Sequence, residues 1–262
     1  MARSSIGWGL TAACLWLGTA CSDTGDDDIV IVNNMMDAGL GGLDATVPGL
    51  DANIDAGLDA APAHAGTSPL ISFFVTSDKS MTGNLGGLAG ADKRCQTLAS
   101  AVGAGAKTWR AFLSVEKDPA NGNAPVEARL RIGKGPWYNA KGVLVANDVG
   151  ALLGLHGDAD LFVNEHGEKI NGQWIGSPAP VEHDILTGTL TDGGVAVGQT
   201  CADWTSASPA PNVALVGHAD GLGPMQNANP PYNSWYSAHA NGGCDNTGPL
   251  GGAGRLYCFA TN

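Results

Sequence analysis

Charge is scarce in this chain. Only 15% of its 262 residues are charged, against roughly 25% in an ordinary soluble domain. Basic residues are the scarcer kind: 13 Lys and Arg stand against 25 Asp and Glu, a net charge of −12. A nucleic-acid binder shows a basic patch or stripe, so this balance argues against that class. Long apolar runs are missing too. After the first 20 residues no stretch reaches the ~18 apolar residues of a membrane-spanning helix. There is no G-x-S-x-G elbow, no H-E-x-x-H pair and no phosphate-cradling loop, so the common hydrolase and nucleotide signatures are absent. No two cysteines stand at C-x₂₋₄-C spacing, which argues against a cysteine-based zinc cluster.

What is present is apolar residues (44%) and 39 glycines. A hydrophobic core can form, and turns should outnumber long helices. The length sets a prior of one or two domains.

The chain opens like an export signal. Residues 1–20 hold Arg3, then an apolar run from Ile6 to Leu17, then small residues. Leu17-Gly18-Thr19-Ala20-Cys21 resembles the bacterial lipobox. That resemblance implies cleavage before Cys21 and acylation of its thiol and new amine. Each buried CH₂ contributes ~0.8 kcal/mol, so two or more chains anchor where one would not. Ser22 rather than Asp follows the cysteine, which resembles an outer-membrane address.

Residues 22–68 carry nine Asp and no Lys, Arg or Glu. Asp37-Ala38-Gly39-Leu40 recurs as Asp55-Ala56-Gly57-Leu58. The segment lacks sustained periodicity, and its apolar content is too thin to offset the entropy of ordering it. We read 21–68 as an acidic, disordered tether starting at the lipidated Cys21, with a reach of roughly 35–40 Å. EF-hand spacing is absent from it.

The folded part is expected over 69–262, where 16 acids meet 12 bases. Ile71–Val75 reads as a strand. A glycine-rich loop, 83–90, leads to a helix over about 91–102 that buries Cys95, Leu98, Ala99 and Val102 on one face. Trp109–Ser114 reads as the next strand. Asn147 is placed to cap a second helix presenting Val149, Leu152 and Leu153. Cys95, Cys201, Cys244 and Cys258 lie in this region. Export makes disulfides possible, and four cysteines allow three pairings.

Several of these segments, taken in order, carry a family resemblance. They are Phe74-Val75-Thr76-Ser77, Gly83 through Cys95, Trp109 through Ser114, Pro136-Trp137-Tyr138-Asn139, Leu161-Phe162 with Gly167, Thr200 through Thr205, and Leu256-Tyr257-Cys258. The set resembles endostatin, and resembles more closely the bacterial endostatin-like outer-membrane lipoproteins, over about 71–262. The resemblance implies an α+β, C-type-lectin-like fold that is loop-rich and has two helices and two disulfides. It pairs the first cysteine with the last and the second with the third: Cys95–Cys258 and Cys201–Cys244. In the chain-entropy picture each tie contributes up to about 4–5 kcal/mol. The sequence departs from the pattern at Leu186-Thr187-Gly188, where a Trp is usual, and in the long segment between Cys201 and Cys244.

The same resemblance implies a non-catalytic binding role. We expect a surface lipoprotein of the bacterial outer membrane, anchored through Cys21. Its domain would meet an extracellular matrix protein or polysaccharide as a monomer, with no cofactor or metal and no nucleic acid. Trp235 and Tyr236 in the long loop, with Trp137 and Tyr138, are the candidate ligand contacts; Trp109 and Trp204 are expected in the core. Endostatin's zinc site draws on histidines before its first strand, where this chain offers only His64, so zinc is not carried over. The calcium-lectin triplets are absent. His156 with Asp158 and Asp160, and His183 with Glu182 and Asp184, have metal-binding residue types, but read as solvated turns. Arg129, Arg131 and Lys134 read as a solvated basic face. The alternatives are a structural envelope protein and an unrecognised hydrolase; the hydrolase predicts a concave pocket holding a carboxylate or His of perturbed pKa.

Overall fold

The structure is a computed structural model, and it describes residues 67–262. The signal 1–20, Cys21 and the tether up to residue 66 lie outside the described residues. The Thr67 hydroxyl donates to the Glu165 carbonyl, and the Ser68 amide donates to Ala140 O at 2.8 Å. No helix among the described residues is long and apolar enough to cross a membrane.

The fold is mixed α+β. Its strands are β1 (Phe73–Val75), β2 (Trp109–Ala111), β3 (Val115–Asp118), β4 (Ala124–Val126), β5 (Trp137–Tyr138), β6 (Leu144–Ala146), β7 (Asp184–Leu186), β8 (Leu215–His218), β9 (His239–Ala240) and β10 (Gly252–Ala260). β3–β4 and β5–β6 are small hairpin-like pairs. The main sheet runs β1-β10-β7-β8-β9, with β2 also pairing β10. β10 is the hub. It is antiparallel to β1 and β2 and parallel to β7.

Two apolar layers follow from the period of two along these strands. Leu256, Cys258 and Ala260 of β10, with Phe74 of β1 and Trp109 of β2, face the first layer. The long helix α1 (Gly87–Ala101) closes it with Ala91, Cys95 and Ala99. Tyr257 and Phe259, with Phe73 and Val75, face the second layer, an aromatic cluster containing Phe112, Trp137, Phe162 and Trp235. Neighbouring rings there meet at 4.8–6.4 Å, mostly tilted or edge-on, the geometry that ring quadrupoles favour.

α1 begins four residues earlier than the periodicity predicts. Gly86 takes φ 76° and turns the chain into the helix without a side-chain cap, a conformation that glycine adopts freely. The second helix, α2 (Val149–Leu153), is capped by Asp148, not Asn147: the Asp148 carboxylate accepts from Ala151 N at 2.8 Å. A third helical segment, α3 (Cys201–Trp204), was not expected. Its four residues all have positive φ, from 47° to 65°. A left-handed turn of non-glycine residues costs about 1–2 kcal/mol per residue. It is held from outside: Asp203 accepts from Glu116 N at 2.6 Å, and the Trp204 indole donates to Ser114 O at 2.9 Å.

Two disulfides are formed, Cys95–Cys258 and Cys201–Cys244. Of the three pairings open to four cysteines, this is the one the endostatin resemblance implies. Cys95–Cys258 ties α1 to the hub strand across 163 residues. Replacing both cysteines by Ala should lower the unfolding free energy of the full chain by about 2–5 kcal/mol. Urea unfolding measures this, and an unchanged midpoint would contradict the role assigned to the tie.

Candidate functional site

One end of the sheet carries a cluster of histidines and aspartates. Strand register assembles it. Asp184 on β7 lies directly opposite His218 on β8, and His239 on β9 lies opposite Val216, two residues from His218. Directly paired residues point to the same side of a sheet, so Asp184, His218 and His239 converge. His183 precedes β7, and Asp220 follows β8 by two residues.

Asp184 sits at the centre. The Nε2 atoms of His218 and His183 lie 3.3 and 3.4 Å from its Oδ1. The Nε2 of His239 lies 3.6 Å from its Oδ2. The outer ring nitrogens are held elsewhere. His183 Nδ1 is 2.6 Å from Asp220 Oδ1, and His239 Nδ1 is 3.0 Å from the Ala240 carbonyl. The Asp220 carboxylate and the Ala240 carbonyl are acceptors, so each of these Nδ1 atoms donates, and the Nε2 edge of each ring faces Asp184. His183 and His218 stack at 4.4 Å with rings 12° apart, and Tyr232 stacks on the far face of His218 at 5.7 Å.

The cluster is buried: the side chains of His183, Asp184, His218 and Asp220 are all under 5% exposed, whereas His239 is 28% exposed and forms its open side. The close approaches to Asp184 do not have hydrogen-bond geometry. Both Asp184 oxygens and both His218 nitrogens are without partners. They are four of the six such buried side-chain atoms among the described residues. A buried unsatisfied polar group costs about 1–3 kcal/mol.

Burial pushes the Asp184 carboxyl up to about 6; the positive ends of His183 and His239 oppose this, and Asp220 adds to it. Burial pushes His218 down to about 3, with His183 and His239 acting in the same sense. The Asp220 charge and the Tyr232 backbone carbonyl, the latter outside regular hydrogen-bond geometry, oppose that weakly. Asp220 behaves differently. Burial alone would raise it, but the hydrogen bond from His183 and the amides of Gln173 (2.6 Å) and Leu222 (3.1 Å) hold it below the usual carboxylate range.

The surrounding frame is rigid. Glu182 pairs with both Lys79 and Arg255, and Arg255 also donates to the carbonyls of Thr76 and Ser77 at 2.6 Å. Gly172 has to be glycine, because a Cβ there would sit 2.2 Å from Asp220 Oδ2. Gly217 lets the Trp235–Tyr236 backbone lie against β8: a Cβ would meet Trp235 O at 2.0 Å.

A cavity of about 350 Å³ opens over His183, His218 and His239, with Gln173, Tyr232, Pro224 and Leu250 on its walls. A larger hollow of about 460 Å³ lies elsewhere, between the start of α1 and β3. Lys117, Asp118 and Asp203 line it without a histidine, and Asp203 already accepts from the Glu116 amide.

Several sequence expectations need correction. His183, Glu182 and Asp184 are not a solvated turn; they are buried at the sheet end. Three of the four aromatic ligand candidates are core. Trp235 is fully buried among Phe112, Phe162 and Tyr257, and its indole donates to Leu152 O at 3.1 Å. Tyr236 is buried, with its hydroxyl on Thr191 O at 2.8 Å. Trp137 is buried, with its indole on Ala260 O at 3.1 Å. Their polar tips are satisfied inside, so burial gains the full apolar area. Tyr138 is half-buried and pairs with Ser72 through the backbone. Trp109 and Trp204 are buried.

Arg131 is not on a solvated face either; it is buried against Asp92 at 2.7 Å and the Ala111 carbonyl at 2.6 Å. His156 is exposed, and Asp160 pairs with Lys169 at 2.8 Å. The His183–Asp184–His218 group, whose donor atoms lie within 4.8 Å of one another, is the only set of metal-ligand types so assembled among the described residues. Sequence reasoning missed His218, His239 and Asp220, because only strand register brings them to Asp184.

No protein-family model matches this chain, and no curated protein matches its sequence.

The core position of Trp235 has a direct test. Trp235→Ala should destabilise the full chain by about 3–5 kcal/mol, as for other buried aromatics, read from the urea midpoint. A change under about 0.5 kcal/mol, the value for an ordinary surface site, would put the side chain back on the surface.

Proposed function

We propose that this chain is an exported lipoprotein, held at the bacterial outer membrane through Cys21, that presents an endostatin-like, C-type-lectin-like domain as a non-catalytic binding module. An extracellular protein or glycan is its ligand, and residues 21–68 act as the tether. Two disulfides suit an oxidising, exported location, and their nesting is the one that the family resemblance implies.

The single observation that carries the binding reading is the concave, polar-floored cavity at the sheet end. Its walls come from the segment between Cys201 and Cys244 and from neighbouring loops carried on the sheet, where binding residues commonly sit. Tyr232 replaces Trp235 and Tyr236 as the aromatic contact, since it is half-buried at the cavity wall.

A second reading, a hydrolase, has a specific observation in its favour. Asp184 and His218 are both strongly perturbed; His218 lines a concave pocket and Asp184 lies buried 3.3 Å from it, a pattern common at catalytic sites. The binding reading is preferred because it is the one the endostatin resemblance implies; no Ser, Thr or Cys lines that cavity, so a hydrolase there would have to use water activated by its histidines rather than a side-chain nucleophile.

The test is an array of glycans and matrix proteins probed with the oxidised full chain. Saturable binding that falls at least tenfold in Tyr232→Ala is expected. Silence across the array from correctly folded, disulfide-bonded protein contradicts the reading. Turnover of an array glycan or peptide favours the hydrolase.

A further inference from the structure

We propose that the cavity floor is a binding site for one divalent transition-metal ion of the zinc class. His183 and His218 through Nε2, and Asp184 through its carboxylate, are the buried ligands, and His239 Nε2 is the fourth, on the cavity side. The proposal shares its pocket with the binding function above, but it does not require that any larger ligand bind there.

Geometry is the first support. A tetrahedral ion with bonds of about 2.0–2.1 Å sets its ligand atoms about 3.3–3.4 Å apart. Asp184 Oδ1 stands 3.3 Å from His218 Nε2 and 3.4 Å from His183 Nε2, and the ligand atoms of these three residues all lie within 4.8 Å of one another; His239 Nε2, 3.6 Å from Asp184 Oδ2, lies outside that set and closes in on the ion when it binds. Atoms in direct hydrogen bonds would be nearer 2.9 Å, and these have none of the required alignment. The spacing is long and misaligned for hydrogen bonds and compatible with sharing a cation.

The unpartnered atoms are the second support. Asp184 Oδ1 and Oδ2 and both ring nitrogens of His218 are buried with no hydrogen-bond partner, so His218, unlike His183 and His239, has no outer-shell acceptor on Nδ1. Among the described residues no Lys or Arg pairs with Asp184; Lys79 and Arg255 are both committed to Glu182. A bound cation satisfies the carboxylate and the imidazole lone pairs together.

The outer shell is the third. Metal-ligating histidines characteristically donate their other ring nitrogen to a carboxylate or a carbonyl. His183 does so to Asp220, which is itself pinned by the Gln173 and Leu222 amides, and His239 does so to Ala240 O. Asp220 is thus a positioning residue. Imidazole with carboxylate suits zinc and its neighbours, whereas calcium requires six to eight oxygens. The part-exposed edge of His239 gives the ion a way in.

The experiment uses the full chain with its disulfides formed, stripped with a chelator. Zn²⁺ is titrated in competition with a chromophoric chelator, and Co²⁺ is followed by visible absorption. One equivalent should bind, and Co²⁺ should show the intense bands of a four-coordinate site. Affinity should fall at least 100-fold in His218→Ala and 10–100-fold in Asp220→Asn. It should be unchanged in His166→Ala, a surface control. If His218→Ala does not fold, Asp220→Asn and His239→Ala decide the matter. No stoichiometric binding by folded wild-type protein overturns the proposal. So does a faint six-coordinate spectrum that all variants share, which would mean adventitious surface binding. Array binding that survives metal stripping alongside absent zinc binding sinks this inference alone. Zinc binding with a silent array sinks only the ligand-binding reading.

Discussion

β10 is pinned along both edges and on both faces, and the other elements take their positions from it. β1 runs along one edge, and β2 then β7 along the other. Its alternate residues feed two separate apolar layers, and Cys258 joins it covalently to α1. The functional consequence comes through β7. The parallel pairing Gly252↔Asp184 places Asp184 at the sheet's end, and β8 and β9 bring His218 and His239 to it. A one-residue slip would turn those side chains to the opposite face, so the register of the sheet is also the geometry of the site.

The polar groups of this interior fall into two kinds. Most are satisfied. Glu165 accepts from the backbone and hydroxyl of Ser77, Arg131 from within the core reaches Asp92 and Ala111, and Asn139 caps its own turn while donating to Leu161. Asp184 and His218 supply four of the six exceptions among the described residues, the others being single guanidinium nitrogens of Arg94 and Arg255. A fold that leaves a carboxylate between three imidazoles unpaired concentrates most of this electrostatic cost at one place. Local cost of that kind is characteristic of sites built for a ligand. The left-handed turn Cys201–Trp204 is a second local cost, and its anchors to Glu116 and Ser114 explain how it is borne.

Much of the scaffold was legible in the residues. The spacing of Cys95, Ala99 and Val102 marked the buried face of α1, and the β-branched and aromatic runs marked β1 and β2. The helix starts were less legible. Gly86 enters α1 through a left-handed conformation that carries no capping signal, and Asp148 competes with its neighbour Asn147 for the same role. The site was not legible as a whole. His183 and Asp184 are adjacent in sequence, but His218 and His239 reach them only through two antiparallel registers. The aromatic residues misled for a related reason. Trp235 lies in a glycine- and proline-broken stretch that reads as a surface loop, yet Gly217 lets that backbone close onto β8 and sends the indole inward.

The central claim is that Asp184 and its three histidines are arranged around a metal ion. X-ray absorption spectroscopy on the zinc-loaded full chain tests it most directly. The account predicts four nitrogen or oxygen neighbours at about 2.0–2.1 Å, with the outer-shell scattering of three imidazoles. Six oxygen neighbours with no imidazole signature would contradict it.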